Sequence, residues 1–211
     1  MPLTFNNRFY DFMFERLQIH EQTNFDDLEH FRNAKYIMLE YFRNNRDSMQ
    51  YYFEVNGELR PFFNQFELDH MHDVLVLFNG GRIIFYCSLI FVFLTIIYFF
   101  FRRKFINKNF ITWFQWTLIS IVGIMLFLTV LSIINFEFVF EIFHVLLFED
   151  GTWTFPATSH LIQMLPFEFF FTITMIMLIK LFLYFVIVFV SLHFLKKYFV
   201  YKNSLQTIIH E

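Results

Sequence analysis

The stretch IIFYCSLIFVFLTIIYFFF, residues 83–101, carries no charge and is long enough to span a hydrocarbon core of roughly 30 Å as a helix. Residues 111–134 read the same way. A third apolar stretch, from about 169 to 195, is interrupted only by Lys180 before the basic pair Lys196-Lys197. The composition agrees: of 211 residues, 57% are hydrophobic and 37 are Phe, too apolar for an ordinary soluble domain of this size. The expected fold is an all-α polytopic membrane protein, a transmembrane helical bundle with a mostly helical cap.

Orientation follows from the basic residues, because Lys and Arg near span ends favour the cytoplasmic side. Arg102, Arg103, Lys104 and Lys108 join the first two spans with no acid among them, and Lys196, Lys197 and Lys202 follow the third. Residues 136–168 hold Glu137, Glu141, Glu149, Asp150 and Glu168 and neither Lys nor Arg, so they read as extracytoplasmic, together with everything before Arg82. The net charge of −3 conceals this asymmetry. The chain divides accordingly into a first cap segment (1–82), a span (83–101), a basic cytoplasmic loop (102–110), a span (111–135), a second cap segment (136–168), a span (169–195) and a cytoplasmic tail (196–211). Three crossings leave residues 1–81 in need of a way across the membrane, and Met1-Pro2-Leu3-Thr4 does not open a signal peptide. A span ahead of the first residue is the expectation.

Within the first cap segment, Asn24-Phe-Asp-Asp27 precedes Leu28, Phe31, Ile37, Leu39 and Phe42, which predicts a capped helix with an apolar stripe over about 25–45. Tyr51-Tyr-Phe-Glu-Val55, Asn56-Gly57 and Glu58-Leu-Arg60 carry the signature of a small β-hairpin, with Pro61 ending its second strand. Helical spacing returns at 66–78, and Gly80-Gly81 are expected to break or bend the chain before the span. Residues 136–148 again space their apolar and polar positions as a helix. Asp150-Gly151 then turns the chain, and Thr158-Ser159 stand where they cap a helix holding Leu161, Ile162 and Leu165.

The chemistry-bearing candidates are histidines, since imidazole is the side chain best poised to exchange protons near neutral pH. His70 and His72 precede the first two spans and His144 follows them. Two crossings return the chain to one membrane face, where these segments can meet. Glu67, His70 and Asp73 are three apart and share a helix face. The competing reading is a surface helix of mixed charge. A metal site fits poorly, for histidines two apart on a helix diverge and no His-Glu-x-x-His or Cys pair is present. His20, His30, His160, His193 and His210 show no partner pattern. No Gly-x-Ser-x-Gly elbow exists, Ser159-His160 are neighbours in sequence only, and the lone cysteine, Cys87, lies within a span. Trp113 and Trp116 read as interfacial anchors, whereas Trp153 and Phe155 sit in a tight turn near His144.

Taken together, Glu67-Leu-Asp-His70-Met-His-Asp73-Val74, Phe143-His144, Phe148, Gly151-Thr152-Trp153, Pro156, Leu161-Ile162 and Pro166 resemble the lipoprotein intramolecular transacylase (Lit) family of bacterial integral membrane proteins. The resemblance implies four transmembrane helices, of which this chain shows three, with an extracellular cap and two catalytic histidines that carry over to His70 and His144. The implied reaction moves the sn-2 acyl chain of a diacylglyceryl-modified lipoprotein onto the amino group of its N-terminal cysteine, giving the lyso form. On this reading His144 is base to the amine and His70 donates to the ester or the developing oxyanion, or the two exchange these roles. Glu67, Asp73 and Glu141 orient them, and Phe143, Trp153 and Phe155 shape the acyl and glyceryl site.

The implied partners are diacylated bacterial lipoproteins and membrane lipids, with no nucleic acid and no metal or organic cofactor. The implied location is the cell membrane of a Gram-positive bacterium. Two other readings stay open: an ester hydrolase or intermolecular acyltransferase using the same histidines, and a non-catalytic membrane binding or assembly protein.

Overall fold

The computed structural model describes residues 7–19, 28–101 and 108–209. The expected cap at residues 24–27, the basic residues 102–104, His20 and His210 lie outside them. The chain forms α1 (Asn7–Arg16), α2 (Leu28–Phe42), β1 (Tyr52–Val55), β2 (Glu58–Pro61), α3 (Gln65–Phe101), α4 (Lys108–Ile134), α5 (Phe136–Leu147), α6 (His160–Met164) and α7 (Phe167–Ile209). It divides into two compact units, Met1–Ile83 with Glu141–Thr172, and Ile84–Phe140 with Ile173–Glu211. The expected all-α membrane architecture with one small hairpin is present. Among the described residues three helices are long and apolar enough to cross a membrane.

The first unit has a core of its own. Tyr10, Met13 and Phe14 of α1 are buried, the Phe14 ring lying 5.2 Å from Phe31 of α2 and the Tyr10 ring 5.2 Å from Phe169 at the start of α7. Ala34, Met38 and Leu39 complete the inward stripe of α2 with no exposed surface. Their 34, 38, 39 spacing puts them on one helix face. Lys35, buried beside them, is tolerated because its ammonium pairs with Asp11 and stands over the Phe14 ring. At the far end of α2, Arg82 donates to the Phe42 carbonyl and to Asn79.

The hairpin pairs Val55 with Glu58 across Asn56-Gly57, and both turn residues have positive φ, 55° and 85°. That backbone matches the right-handed twist of the flanking strands and is what the Asn-Gly pair supplies. Pro61 is the last residue of β2, as expected. Gly57→Val is therefore expected to destabilise the first unit by about 1 kcal/mol, since the left-handed conformation penalises a Cβ. Thermal unfolding in detergent checks this.

Gly80 and Gly81 do not break the chain. They lie inside α3, which runs unbroken from Gln65 to Phe101, and neither has a positive φ. Two glycines cost a helix about 1 kcal/mol each, but a span must satisfy its backbone polar groups internally, and the long hydrogen-bonded ladder on either side outweighs the local preference.

In the second unit the helices present apolar side chains outward: Phe91 is 70% exposed, Phe127 67% and Ile187 62%. The hydroxyls of Ser88, Thr95, Thr129, Ser132 and Ser191 donate to carbonyls one turn back, which satisfies them without water. Buried Ile111, Gln115, Leu118, Met125 and Ser132 form one stripe along α4, while Trp113 and Trp116 at its beginning are exposed. Asn135 ends α4 and caps α5, its side chain accepting from the Phe138 amide at 3.0 Å.

Candidate functional site

α3 opens with a reciprocal cap. The Asn64 side chain accepts from the Glu67 amide at 2.9 Å, and the Glu67 carboxylate accepts from the Asn64 amide at 2.8 Å. One turn on, His70 is buried. Its neighbour in the His-Met-His run, His72, is exposed on a different face and meets the Tyr41 hydroxyl of α2 at 3.1 Å. Of the two histidines at this end of α3, only His70 enters the cluster described next.

His144 is buried in α5, and its ring lies 6.1 Å from that of His70, the two planes 26° apart. Aromatic side chains surround the pair. Phe148 is 5.0 Å from the His70 ring and 5.4 Å from that of His144, being one helical turn beyond His144. Phe155 lies 5.4 Å from His70 and is backed by Phe66 at 5.2 Å. Trp153 lies 4.9 Å from His144. Its place is set by a tight turn in which Gly151 takes φ 81° and Thr152 gives both its amide and its hydroxyl to the Glu149 carbonyl.

The segment carrying Trp153 and Phe155 is pinned to α3 by Glu67. This carboxylate, 1% exposed, accepts from the Ser159 hydroxyl and, at 3.2 Å, from the Leu161 amide. Ser159 in turn caps α6, accepting from the Ile162 amide, as its position in the sequence predicts. Next to it, His160 donates its Nδ1 proton to the Phe62 carbonyl.

The candidate residues thus separate. His70, His144, Trp153 and Phe155 come together, and Phe143 joins them with its ring 5.4 Å from His144 and its outer side exposed. Glu67 spends its oxygens on Ser159, Leu161 and Asn64, and no hydrogen bond joins it to His70. Asp73 and Glu141 are exposed. Asp73 is near enough to His70 to favour its charged form. Phe148, Phe66 and Ser159 join the cluster or its supports without standing out in the sequence as site residues; for Phe148 the spacing of four from His144 is the available signal. Among the described residues no three His, Cys, Asp or Glu side chains gather as metal ligands.

Two enclosed side-chain nitrogens among the described residues have no hydrogen-bond partner: His70 Nδ1 and Trp153 Nε1. Both belong to this cluster. An enclosed polar group left unpaired costs about 1 to 3 kcal/mol, so such groups in a folded protein require an explanation.

His70 precedes the charge-free stretch 83–101. Burial lowers its pKa to about 4, helped by repulsion from His144 and opposed by the Asp73 carboxylate. The folded protein therefore holds His70 neutral at pH 7. Between 6.5, the ordinary value, and about 4, the unfolded chain takes up this proton before the folded one does. Stability is thus expected to fall as pH drops through that window, and His70→Gln to flatten the dependence. Unfolding midpoints of the purified protein at pH 7 and 4.5 measure it.

A family model described as the lipoprotein intramolecular transacylase Lit matches residues 1–170. Among solved structures the chain is similar to the membrane integral lipoprotein intramolecular transacylase Lit from Bacillus cereus, with 20% identity and a TM-score of 0.71 over 97% of this chain and 88% of that one. Two histidine-variant structures of the same protein, substituted to Arg and to Ala, give TM-scores of 0.62 and 0.60 at 20% and 21% identity. Each covers 93% of this chain, with 81% and 82% of theirs matched. At such identities the likeness establishes the fold. No curated protein matches the chain.

Proposed function

The chain belongs to the lipoprotein intramolecular transacylase family, and on that footing we propose that it moves the sn-2 acyl chain of a diacylglyceryl lipoprotein to the α-amino group of its N-terminal cysteine, with His70 and His144 as the catalytic pair. The observation that carries this reading is the meeting of two histidines 74 positions apart in sequence, their rings 6.1 Å from each other in an aromatic enclosure.

The substrate holds both reactants. Its amine nitrogen forms a bond to the ester carbonyl carbon, the bond from that carbon to the sn-2 oxygen breaks, and the proton leaving nitrogen ends on that oxygen. Product and substrate are isomers. The ring closed in attack runs through the amine nitrogen, the cysteine carbons, sulfur, two glycerol carbons and the ester oxygen to the carbonyl carbon, a medium size that closes reluctantly. Holding amine against ester supplies much of the catalysis, as good positioning is worth roughly 7 to 11 kcal/mol. Phe143, Phe148, Trp153 and Phe155 are placed to do so.

The environments of the two histidines support different roles. An imidazole that gives up its proton at about 4 is a poor acceptor for one held by an amine at about 7.7 to 8.0. It remains a neutral N–H donor, suited to the carbonyl oxygen as charge develops there. His144 takes the amine proton and returns it to the leaving oxygen. Its transient positive charge works against charging His70, so the pair carries one proton at a time. Asp73, exposed beside His70, adjusts this balance by favouring the charged form of that histidine.

The chain is a multi-pass membrane protein. The asymmetry between Arg102, Arg103, Lys104 and Lys108 and the acidic residues 136–168 supports placing the first unit outside the cytoplasm, where lipoproteins are anchored. Tandem mass spectrometry of a reporter lipoprotein's N-terminal peptide tests the reading in a host lacking the activity. Fragments with one acyl group on the cysteine nitrogen and one on glycerol are the expected result. An unchanged diacylglyceryl pattern, or released fatty acid, overturns it.

A further inference from the structure

The orphaned indole proton of Trp153 has no role in the scheme above, where Trp153 serves as a wall. Indole Nε1 donates and cannot accept. The indole ring lies against that of His144, 4.9 Å away, and no hydrogen-bond acceptor meets the enclosed Nε1. The turn through Gly151 and Thr152 fixes the indole against His144, and Glu67, through Ser159, ties the following segment to the helix that carries His70. A donor held this firmly, enclosed and without an acceptor, is arranged for an acceptor brought by the substrate. The other unpartnered enclosed nitrogen among the described residues is that of His70, in the same cluster.

Resting on the transacylase reading, we propose that Trp153 is a catalytic residue: its Nε1–H donates a hydrogen bond to the carbonyl oxygen of the migrating ester, and with His70 completes a two-donor site for the oxyanion formed when the amine attacks. The geometry of acyl transfer explains why two donors are useful. The carbonyl oxygen accepts along two lone-pair directions, and as the carbon becomes tetrahedral the oxygen gains charge and both bonds shorten. Trp153 donates without being able to exchange a proton in the working pH range. It stabilises the oxyanion while leaving proton movement to His144, and the orientation of the ester is set by two fixed points. Such a bond is stronger in the transition state than in the bound substrate, so its loss appears in turnover rather than in affinity.

The test replaces the donor while keeping the shape. In Trp153→3-benzothienylalanine, introduced by codon suppression in the full chain, sulfur stands where the N–H was and the bicyclic ring retains its contact with His144. Turnover of a synthetic diacylglyceryl lipopeptide in mixed micelles, read as lyso form by tandem mass spectrometry, is expected to fall about 100-fold with apparent KM within about twofold of the unsubstituted protein. Trp153→Phe is expected to match it, and unfolding midpoints show that both variants are folded. If Trp153→Phe fails to fold, the isosteric variant decides alone. A benzothienylalanine variant that turns over within about twofold of the unsubstituted chain overturns the proposal, as does a loss confined to KM. An unsubstituted chain that makes no lyso form removes the transacylase reading and this inference with it. An active chain whose isosteric variant is unimpaired removes this inference alone.

Discussion

Replacing His144 with alanine is expected to lower lyso-form production by about 10² to 10⁴-fold, the range over which a positioned acid or base contributes. The protein should remain in the membrane at its normal level. His70→Ala is expected to cost about 10² to 10³-fold, as loss of one donor to an oxyanion does. The two differ in what rescues them. His70→Gln keeps an N–H in the pocket and should recover part of the rate, whereas His144→Gln supplies no base and should not. In His144→Ala the residual rate should climb with pH through about 8, as the substrate amine loses its proton unaided. The double variant should be little worse than the poorer single one, because groups that act on one transition state are not additive. Reporter lipoprotein processed as fully by both alanine variants as by the parent chain would end the assignment of these histidines.

The membrane architecture is legible in sequence because a charge-free stretch such as 83–101 has few alternatives: a backbone in lipid must be helical or closed into a barrel. Asn56-Gly57 and Ser159 are legible for a similar reason, each being a residue type whose local geometry is nearly unique. Gly80-Gly81 misled, since glycine is a weak local signal and the span around it is a strong cooperative one. Within the site, topology alone brings the His70 and His144 segments to one face, but not which imidazole of the His-Met-His run turns inward. That depends on Tyr41, 31 residues before His72, and periodicity does not say which faces of two helices meet. The same limit hid the role of Glu67. Three residues before His70, it invites reading as that histidine's partner, yet its partner is Ser159, 92 residues away.

Glu67→Ala is accordingly expected to act on the fold before it acts on the chemistry. The substitution leaves the Ser159 hydroxyl and the Leu161 amide without their acceptor in an enclosed place, and takes the cap from the amide of exposed Asn64. At about 1 to 3 kcal/mol for each such group, the loss should reach about 3 kcal/mol or more, a large part of the roughly 5 to 15 kcal/mol that stabilises a typical domain. Glu67→Gln should fall between, because one side-chain oxygen remains an acceptor while the amide nitrogen presents hydrogen towards donors that need an acceptor. Ser159→Ala, which removes the cap of α6 and one of the three donors, should cost about 1 kcal/mol. Unfolding midpoints and turnover measured on the same detergent-purified samples separate a clamp from an orienting partner of His70. A clamp lowers the midpoint in the order Ser159→Ala, Glu67→Gln, Glu67→Ala, and turnover recovers where the sample is cooled well below it. An orienting partner leaves the midpoint unchanged and the rate low at every temperature, and that result would show that Glu67 acts through His70 after all.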